Sequence, residues 1–134
     1  MEAPKQYTII VQDTYFVLSD DQICRDGPNY FTNYFGGSFK EAQDGVQVMV
    51  LSRDPYLFTF ICMYLRGYHV LPLPDENIPW YLSKESRLKN LLADAYFYGL
   101  NSLAEEIEAA VRLMQAHSLR REERAQPKKD TWKI

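Results

Sequence analysis

The chain has 134 residues, of which 46% are hydrophobic and 14% aromatic, and this suffices for the core of a single domain. Its formal charge of −3 is unevenly distributed, because residues 1–119 carry 9 Lys/Arg against 15 Asp/Glu whereas residues 120–134 carry 6 against 3. An acidic body lacks the clustered cations that phosphate contacts require, so we expect no nucleic-acid partner. No run approaches the roughly 20 apolar residues of a membrane span, and the N-terminus lacks a signal-peptide pattern. We therefore expect a cytoplasmic or nuclear protein with no membrane partner.

The first third of the chain predicts a β-hairpin followed by two short helices. β-Branched and aromatic runs at 7–11 and 15–18, separated by a polar break, are typical of paired strands. Ser19 and the acidic residues after it predict a helix from Asp20 to about Arg25. Asn29 can cap a second helix, which we expect to end at Gly36-Gly37.

The middle of the chain predicts a strand that leads directly into a helix. The run 46–51 alternates so that Val46, Val48 and Val50 share one face of a half-buried strand. Asp54 can cap the next helix, and Pro55 suits its first turn because the missing N–H has no partner there. Apolar residues recur at helical spacing up to a stop at 67.

The last part of the chain predicts two further helices after an irregular segment. The Pro-punctuated run 70–74 favours an edge strand or an extended segment, and 75–83 has no readable pattern. Helices are predicted at 86–98 and at 103–125. The basic tail 126–134 has few core-forming residues, so we expect it to be flexible.

The residues that could bind metal or catalyse a reaction are scattered. Cys24, Cys62, His69 and His117 form no closely spaced pair, so we expect no metal site. We expect the two cysteines to be buried, reduced thiols. No nucleophile and base occur in a recognisable pattern, which predicts a non-enzymatic protein with no catalytic residues and no cofactor.

Aromatic residues are concentrated in one short stretch. Tyr30, Phe31, Tyr34, Phe35 and Phe39 cover both sides of the second predicted helix and its exit. One small helix at the edge of a domain does not bury every side by itself. The sequence leaves open whether the core or a partner protein covers these rings.

Two motifs carry a family resemblance. The first is the order Arg-Asp-Pro, Phe, Ile, Tyr-Leu-Arg, Gly between 53 and 67, and the second is a Leu/Ala/aromatic helix pattern between 91 and 103. The matching residues are Arg53, Asp54, Pro55, Phe58, Ile61, Tyr64, Leu65, Arg66 and Gly67, then Leu91, Leu92, Ala95, Phe97, Tyr98, Leu100 and Leu103. These motifs resemble the BTB/POZ domain of the potassium-channel tetramerisation (KCTD-like) type.

Three features depart from that family pattern. Val11-Gln12-Asp13 stands where the family usually has Val-Gly-Gly, Asp94 replaces a glutamate, and the adjacent cysteines of the family's interface zinc site are missing. The resemblance implies an α+β BTB/POZ fold, with a small mixed sheet, a helical cluster and a long C-terminal helix. We expect an N-terminal arm at 1–6, the BTB-like domain at 7–108, a helical extension at 109–125 and the tail at 126–134.

The resemblance also implies a function. Members of the family form homo-oligomers, such as tetramers or pentamers, and several are substrate adaptors of cullin 3 ubiquitin ligases. We expect Arg53, Asp54, Tyr64 and Arg66 to form subunit contacts. A self-associating scaffold is the leading hypothesis, and the first alternative is a cullin 3 adaptor. The second alternative is a regulatory subunit for a phosphatase or transcription partner, with the helix from Leu103 to Met114 as a groove ligand or coiled-coil seam. For a cullin contact, the resemblance indicates Tyr34, Phe35 and Phe39.

Overall fold

A computed structural model describes residues 5–36 and 47–125, except for the side chains of 123–125. This part of the chain is mixed α+β, with a small sheet and a long C-terminal helix. The predicted residues Gly37, Phe39, Val46 and the tail 126–134 lie outside it. The elements are β1 (Gln6–Val11), β2 (Thr14–Ser19), α1 (Asp20–Ile23), α2 (Tyr30–Gly36), β3 (Val48–Leu51), α3 (Pro55–Leu65), α4 (Lys84–Tyr98) and α5 (Asn101–Ala125).

The sheet has the strand order β2-β1-β3. β1 pairs antiparallel with β2, which confirms the hairpin, and parallel with β3. The hairpin turn places Gln12 at φ 54°, a left-handed conformation that glycine adopts without steric cost. The turn is therefore built with a non-glycine residue at a left-handed position.

The helix boundaries follow the capping residues. Ser19 and Gln22 form a capping box at the start of α1. Asn29 accepts hydrogen bonds from the amides of Phe31 and Thr32, at 2.8 and 3.0 Å, as predicted for α2. Ser83 caps α4, which begins at Lys84, two residues before the predicted start at 86. Gly99 ends that helix at φ 72°.

The core lies between the inner face of the sheet and helices α2, α3, α4 and the first turns of α5. Its centre is an aromatic cluster of Phe31, Phe58 and Tyr98, in which the rings of Phe31 and Tyr98 stack at 5.0 Å. Along α5, full burial ends after Ile107 and the partly buried Ala110, Val111 and Met114 still pack against the core, although the helix continues unbroken to its end. The second half of α5 therefore extends beyond the core.

Two expectations require correction or refinement. Cys24 is exposed, not buried, because it ends the short helix α1, whereas Cys62 on α3 is buried. The run 70–74 is an extended segment without strand pairing, which buries Val70 and Leu73 against the helices. The segment is held by these two buried side chains and makes no backbone pairing with the sheet.

Candidate interaction surfaces

Arg53 and Asp54 lie where β3 passes into α3. The Arg53 guanidinium lies 3.7 Å from the ring centre of Phe97 and 3.5 Å from the carboxylate of Asp94, both on α4. Asp54 caps α3 by accepting from the amide of Leu57 at 3.1 Å, and it also accepts from the hydroxyl of Tyr81. Two of the predicted interface residues are therefore held by α4 and by the turn before it.

A cleft of about 400 Å³ opens beside this pair. Asp94 lies in its wall with only 5% of the residue exposed, and its Oδ2 has no hydrogen-bond partner among the residues that the structure describes. Burial raises the pKa of Asp94 to about 6, against the opposing effect of Arg53. The cleft lining is Ser52, Arg53, Asp54, Leu57, Tyr81, Leu82, Asn90, Ala93 and Asp94.

Tyr64 and Arg66 lie at the opposite end of α3, about 16 Å away for a helix of 11 residues. The Tyr64 ring is buried, its hydroxyl donates to Asp26 at 2.7 Å, and the Arg25 guanidinium covers the ring at 4.0 Å. Arg66 is exposed and donates to the carbonyl of Val17 at 3.0 Å, on edge strand β2. The four predicted interface residues thus form two separate groups, and Tyr64 is largely internal.

The aromatic residues of α2 divide between core and surface. The Phe35 ring is buried with its centre 4.4 Å from that of Tyr7, so Phe35 belongs to the core. Tyr34 is exposed, and Phe39 lies outside the described residues. Of the three residues predicted to contact a partner, Tyr34 is the one whose side chain the structure places at the surface.

The outer face of the sheet is a surface that the residue pattern did not single out, although it placed Val48 and Val50 on one face of β3. Val50 is 71% exposed and Tyr15 68%, and both stand opposite Ile10 on the central strand. The neighbouring row across the three strands is Val17, Thr8 and Val48, of which both valines are exposed. We call these six residues the outer sheet face: it contains no charge and five of its members are apolar. The available signal was the lack of polar alternation in β3 and over most of β2.

A second missed feature is Trp80, which is 95% exposed. It lies in a turn closed by a hydrogen bond of 3.0 Å from the amide of Leu82 to the carbonyl of Pro79. Its ring packs edge-on against Tyr81, with 5.7 Å between the centres. Since Tyr81 is in turn bonded to Asp54, the indole projects from an anchored turn.

An apolar cleft of about 400 Å³ lies between the extended segment, α4 and α5. We call it the apolar cleft; its lining is Leu71, Pro72, Leu73, Lys84, Arg87, Leu88, Ala110 and Met114. Arg87 is buried and bonds to the carbonyl of Pro74 and, at 3.1 Å, to the hydroxyl of Tyr56. The two cationic residues therefore belong to a largely hydrophobic wall.

No helix in the parts of the chain that the structure describes combines the length and the apolar character needed to cross a membrane. Within the same residues, no three His, Cys, Asp or Glu side chains cluster as metal ligands would. A scan against protein-family models gave no match for this chain, and a search of curated proteins gave none either.

Proposed function

We propose that the chain is a non-enzymatic protein–protein interaction module of the BTB/POZ tetramerisation type, which self-associates and acts as a scaffold or adaptor. The outer sheet face is the observation that carries this proposal. A sheet that is packed on one face and solvated on the other normally has polar residues on the solvated side, and here five of the six residues of the outer sheet face are apolar. Burial of an uncharged patch that spans three strands against another protein is favourable, because it removes apolar surface from water.

At the β2 edge of the sheet, a side chain disfavours strand addition and so supports association through the face. The Arg66 side chain donates a hydrogen bond to the carbonyl of Val17 on edge strand β2. A charged group on a sheet edge disfavours pairing with another strand. The face itself carries no comparable obstacle. We therefore assign the main contact to the side chains of the outer sheet face, with Arg53 and Asp54 supplying polar contacts at the rim of the assembly.

The element order favours the BTB/POZ assignment as part of the proposal. A hairpin, two short helices, a third strand parallel to the first and a helix that begins at Arg-Asp-Pro follow one another as the resemblance requires. The second motif falls on α4 and the start of α5, where Leu91, Leu100 and Leu103 are fully buried.

The experiment that tests this function compares charged variants at two exposed apolar sites. Val50→Lys places a charge in the outer sheet face, while Leu119→Lys makes the same kind of change on the exposed part of α5. We expect the native mass of the Val50 variant to fall toward that of a single chain, and that of the Leu119 variant to stay unchanged. A Val50→Lys protein that keeps both its fold and the parent mass would overturn the assignment of this face.

A second candidate function is that of a cullin 3 substrate adaptor, which Tyr34 favours because it is an exposed aromatic residue on α2. In this proposal a Tyr34→Ala protein binds a cullin 3 N-terminal fragment at least tenfold more weakly than the parent. Equal binding by the two proteins would count against that surface. Tyr34 is a better probe than Phe35, whose removal would damage the core.

A third candidate is a regulatory subunit that presents α5 to a phosphatase or transcription partner. Leu113 and Leu119 are exposed on the part of α5 beyond the core, as a helix that enters a partner's groove would need. Leu119→Lys then serves as the informative variant, because loss of partner binding without loss of self-association would single out this function.

A further inference from the structure

Trp80 is the most exposed of the large hydrophobic side chains that the structure describes. Its 95% exposure means that almost none of its large apolar surface is covered, although the turn that carries it is fixed on both sides. Tryptophan is among the residues that contribute most when an interface covers them, and a preformed turn loses little conformational freedom on binding. These properties are typical of an anchor residue that inserts into a pocket on another molecule.

The apolar cleft has the composition that would receive an indole. Its floor consists of aliphatic side chains from the extended segment, α4 and α5, together with Met114, whose sulfur and flexible chain adapt well to aromatic rings. Its remaining lining is cationic, through Lys84 and Arg87. Both approach Asp75, at 3.6 and 3.7 Å, which leaves one net positive charge among the three groups.

The positive charge at the cleft favours an aromatic side chain over an aliphatic one as its occupant. An aromatic face carries negative electrostatic potential, and tryptophan is the side chain that cations bind best through this face. Arg87 is already buried in the free chain, so Lys84, whose side chain is 65% exposed, is the cation that an occupant of the cleft can meet. An indole face beside the Lys84 ammonium adds a cation–π contact that an aliphatic occupant does not make.

We propose that Trp80 of one copy of this chain inserts into the apolar cleft of a second copy. The inference rests on the proposed function, self-association, and adds a specific contact to it. The indole does not occupy the cleft of its own chain, since it is almost wholly exposed there. If the contact is made reciprocally it yields a dimer with two-fold symmetry, and repeated head to tail it yields a ring.

The test uses sedimentation equilibrium on variants of the full chain. Trp80→Ala removes the anchor and leaves the core intact, and we expect it to weaken association about 30-fold or more. Trp132→Phe is the matched control, because it changes the only other tryptophan, and it should leave the association constant unchanged. In the Trp132→Phe protein, emission from Trp80 alone should shift to shorter wavelength as concentration and mass rise.

A second set of variants changes the cleft instead of the anchor, by placing a larger or charged side chain in its lining. Ala110→Phe should weaken association as much as Trp80→Ala does, and Met114→Lys serves the same purpose if the larger ring disturbs folding. The double variant Trp80→Ala/Ala110→Phe should be no weaker than either single variant, because both changes remove one contact. A mixture of the two single variants should associate more tightly than either alone, since it keeps one intact anchor and one intact cleft.

The outcomes separate this inference from the function on which it rests. If the parent assembles but Trp80→Ala assembles equally well, the anchor assignment is wrong and self-association stands. If Trp132→Phe loses assembly while Trp80→Ala keeps it, the other tryptophan is the occupant and the inference is likewise overturned. A parent that stays a single chain at every concentration overturns both.

Discussion

The Arg53 guanidinium covers the ring of Phe97 at 3.7 Å while it lies 3.5 Å from the Asp94 carboxylate. One side chain thus joins the end of β3 to two positions on α4, one turn apart. Asp94 is nearly buried and lacks a partner for Oδ2 among the described residues, so Arg53 provides most of the compensation for its charge.

Removal of the Arg53 side chain should destabilise the fold. Arg53→Ala loses the contact with the ring and leaves the Asp94 carboxylate without its cation, and we expect a loss of about 1–2 kcal/mol in the free energy of unfolding at pH 7. Urea denaturation measures this. Arg53→Lys should lose less, because it keeps a charge near Asp94 but not the planar group over Phe97. Equal losses for both variants would contradict the role of the charge beside Asp94, and an Arg53→Lys protein as stable as the parent would contradict the role of the ring contact.

The stability of the protein should depend on pH through Asp94. Its pKa is raised to about 6 from an ordinary value of 3.8, so between these values the folded chain holds a proton that the unfolded chain has released. Stability is therefore greatest below about pH 4 as far as this group is concerned, and it falls as pH rises toward 6, by up to about 3 kcal/mol. Above that pH the contribution is constant.

Asp94→Asn isolates this contribution. The amide cannot ionise, so the part of the pH dependence between 4 and 6 that belongs to Asp94 should disappear. The variant should be at least as stable as the parent at pH 7, while Arg53→Ala should cost less in this background. Denaturation curves at pH 4, 5, 6 and 7 for parent and variant give the comparison, and parallel curves would contradict the assignment.

The hairpin turn should tolerate a glycine better than its native residue. Gln12 has a left-handed backbone, which costs a residue with a side chain about 1–2 kcal/mol, whereas the added freedom of glycine in the unfolded chain costs about 0.5–1 kcal/mol. Gln12→Gly should therefore raise stability by about 0.5–1 kcal/mol. Asp13→Gly is the control, since Asp13 has no positive φ, and it should not stabilise. Thermal unfolding of both variants checks the expectation.

Tyr64 should act on stability more than on assembly. Its hydroxyl shares Asp26 with the amide of Ser102, which lies 3.0 Å away at the start of α5. Tyr64→Phe should cost about 1 kcal/mol, and Asp26→Ala should cost more because it removes both bonds. The native mass of Tyr64→Phe should equal that of the parent. A lower mass with unchanged stability would show that Tyr64 contributes to the interface directly.

The parts of the fold that the sequence predicted are those with strong local signals. Asp54 and Pro55 mark the start of α3, and Gly99 marks the end of α4, because capping depends on the residues at the boundary itself. Phe35 and Cys24 were harder, because their burial depends on which elements pack against them. In β3, all four residues are apolar, so only pairing with β1 decides that Met49 and Leu51 face the core while Val48 and Val50 do not.

The candidate surfaces also divide into features with a local sequence signal and features that depend on tertiary contacts. The sequence predicted Arg53 and Asp54 as a pair through their motif, but it did not place Asp94 and Phe97 beside them, because those contacts cross 41 and 44 positions of the chain. Trp80 could be noticed in the sequence as an aromatic residue in an unreadable segment. Its near-complete exposure is a property of the folded turn.

The most direct test of the central claim is the mass of the unmodified chain at equilibrium, measured by sedimentation over a hundredfold range of concentration. Self-association through the outer sheet face predicts a defined multiple of the chain mass, which Val50→Lys shifts toward a single chain while its far-ultraviolet circular dichroism stays the same. A mass equal to one chain over the whole range would contradict the account.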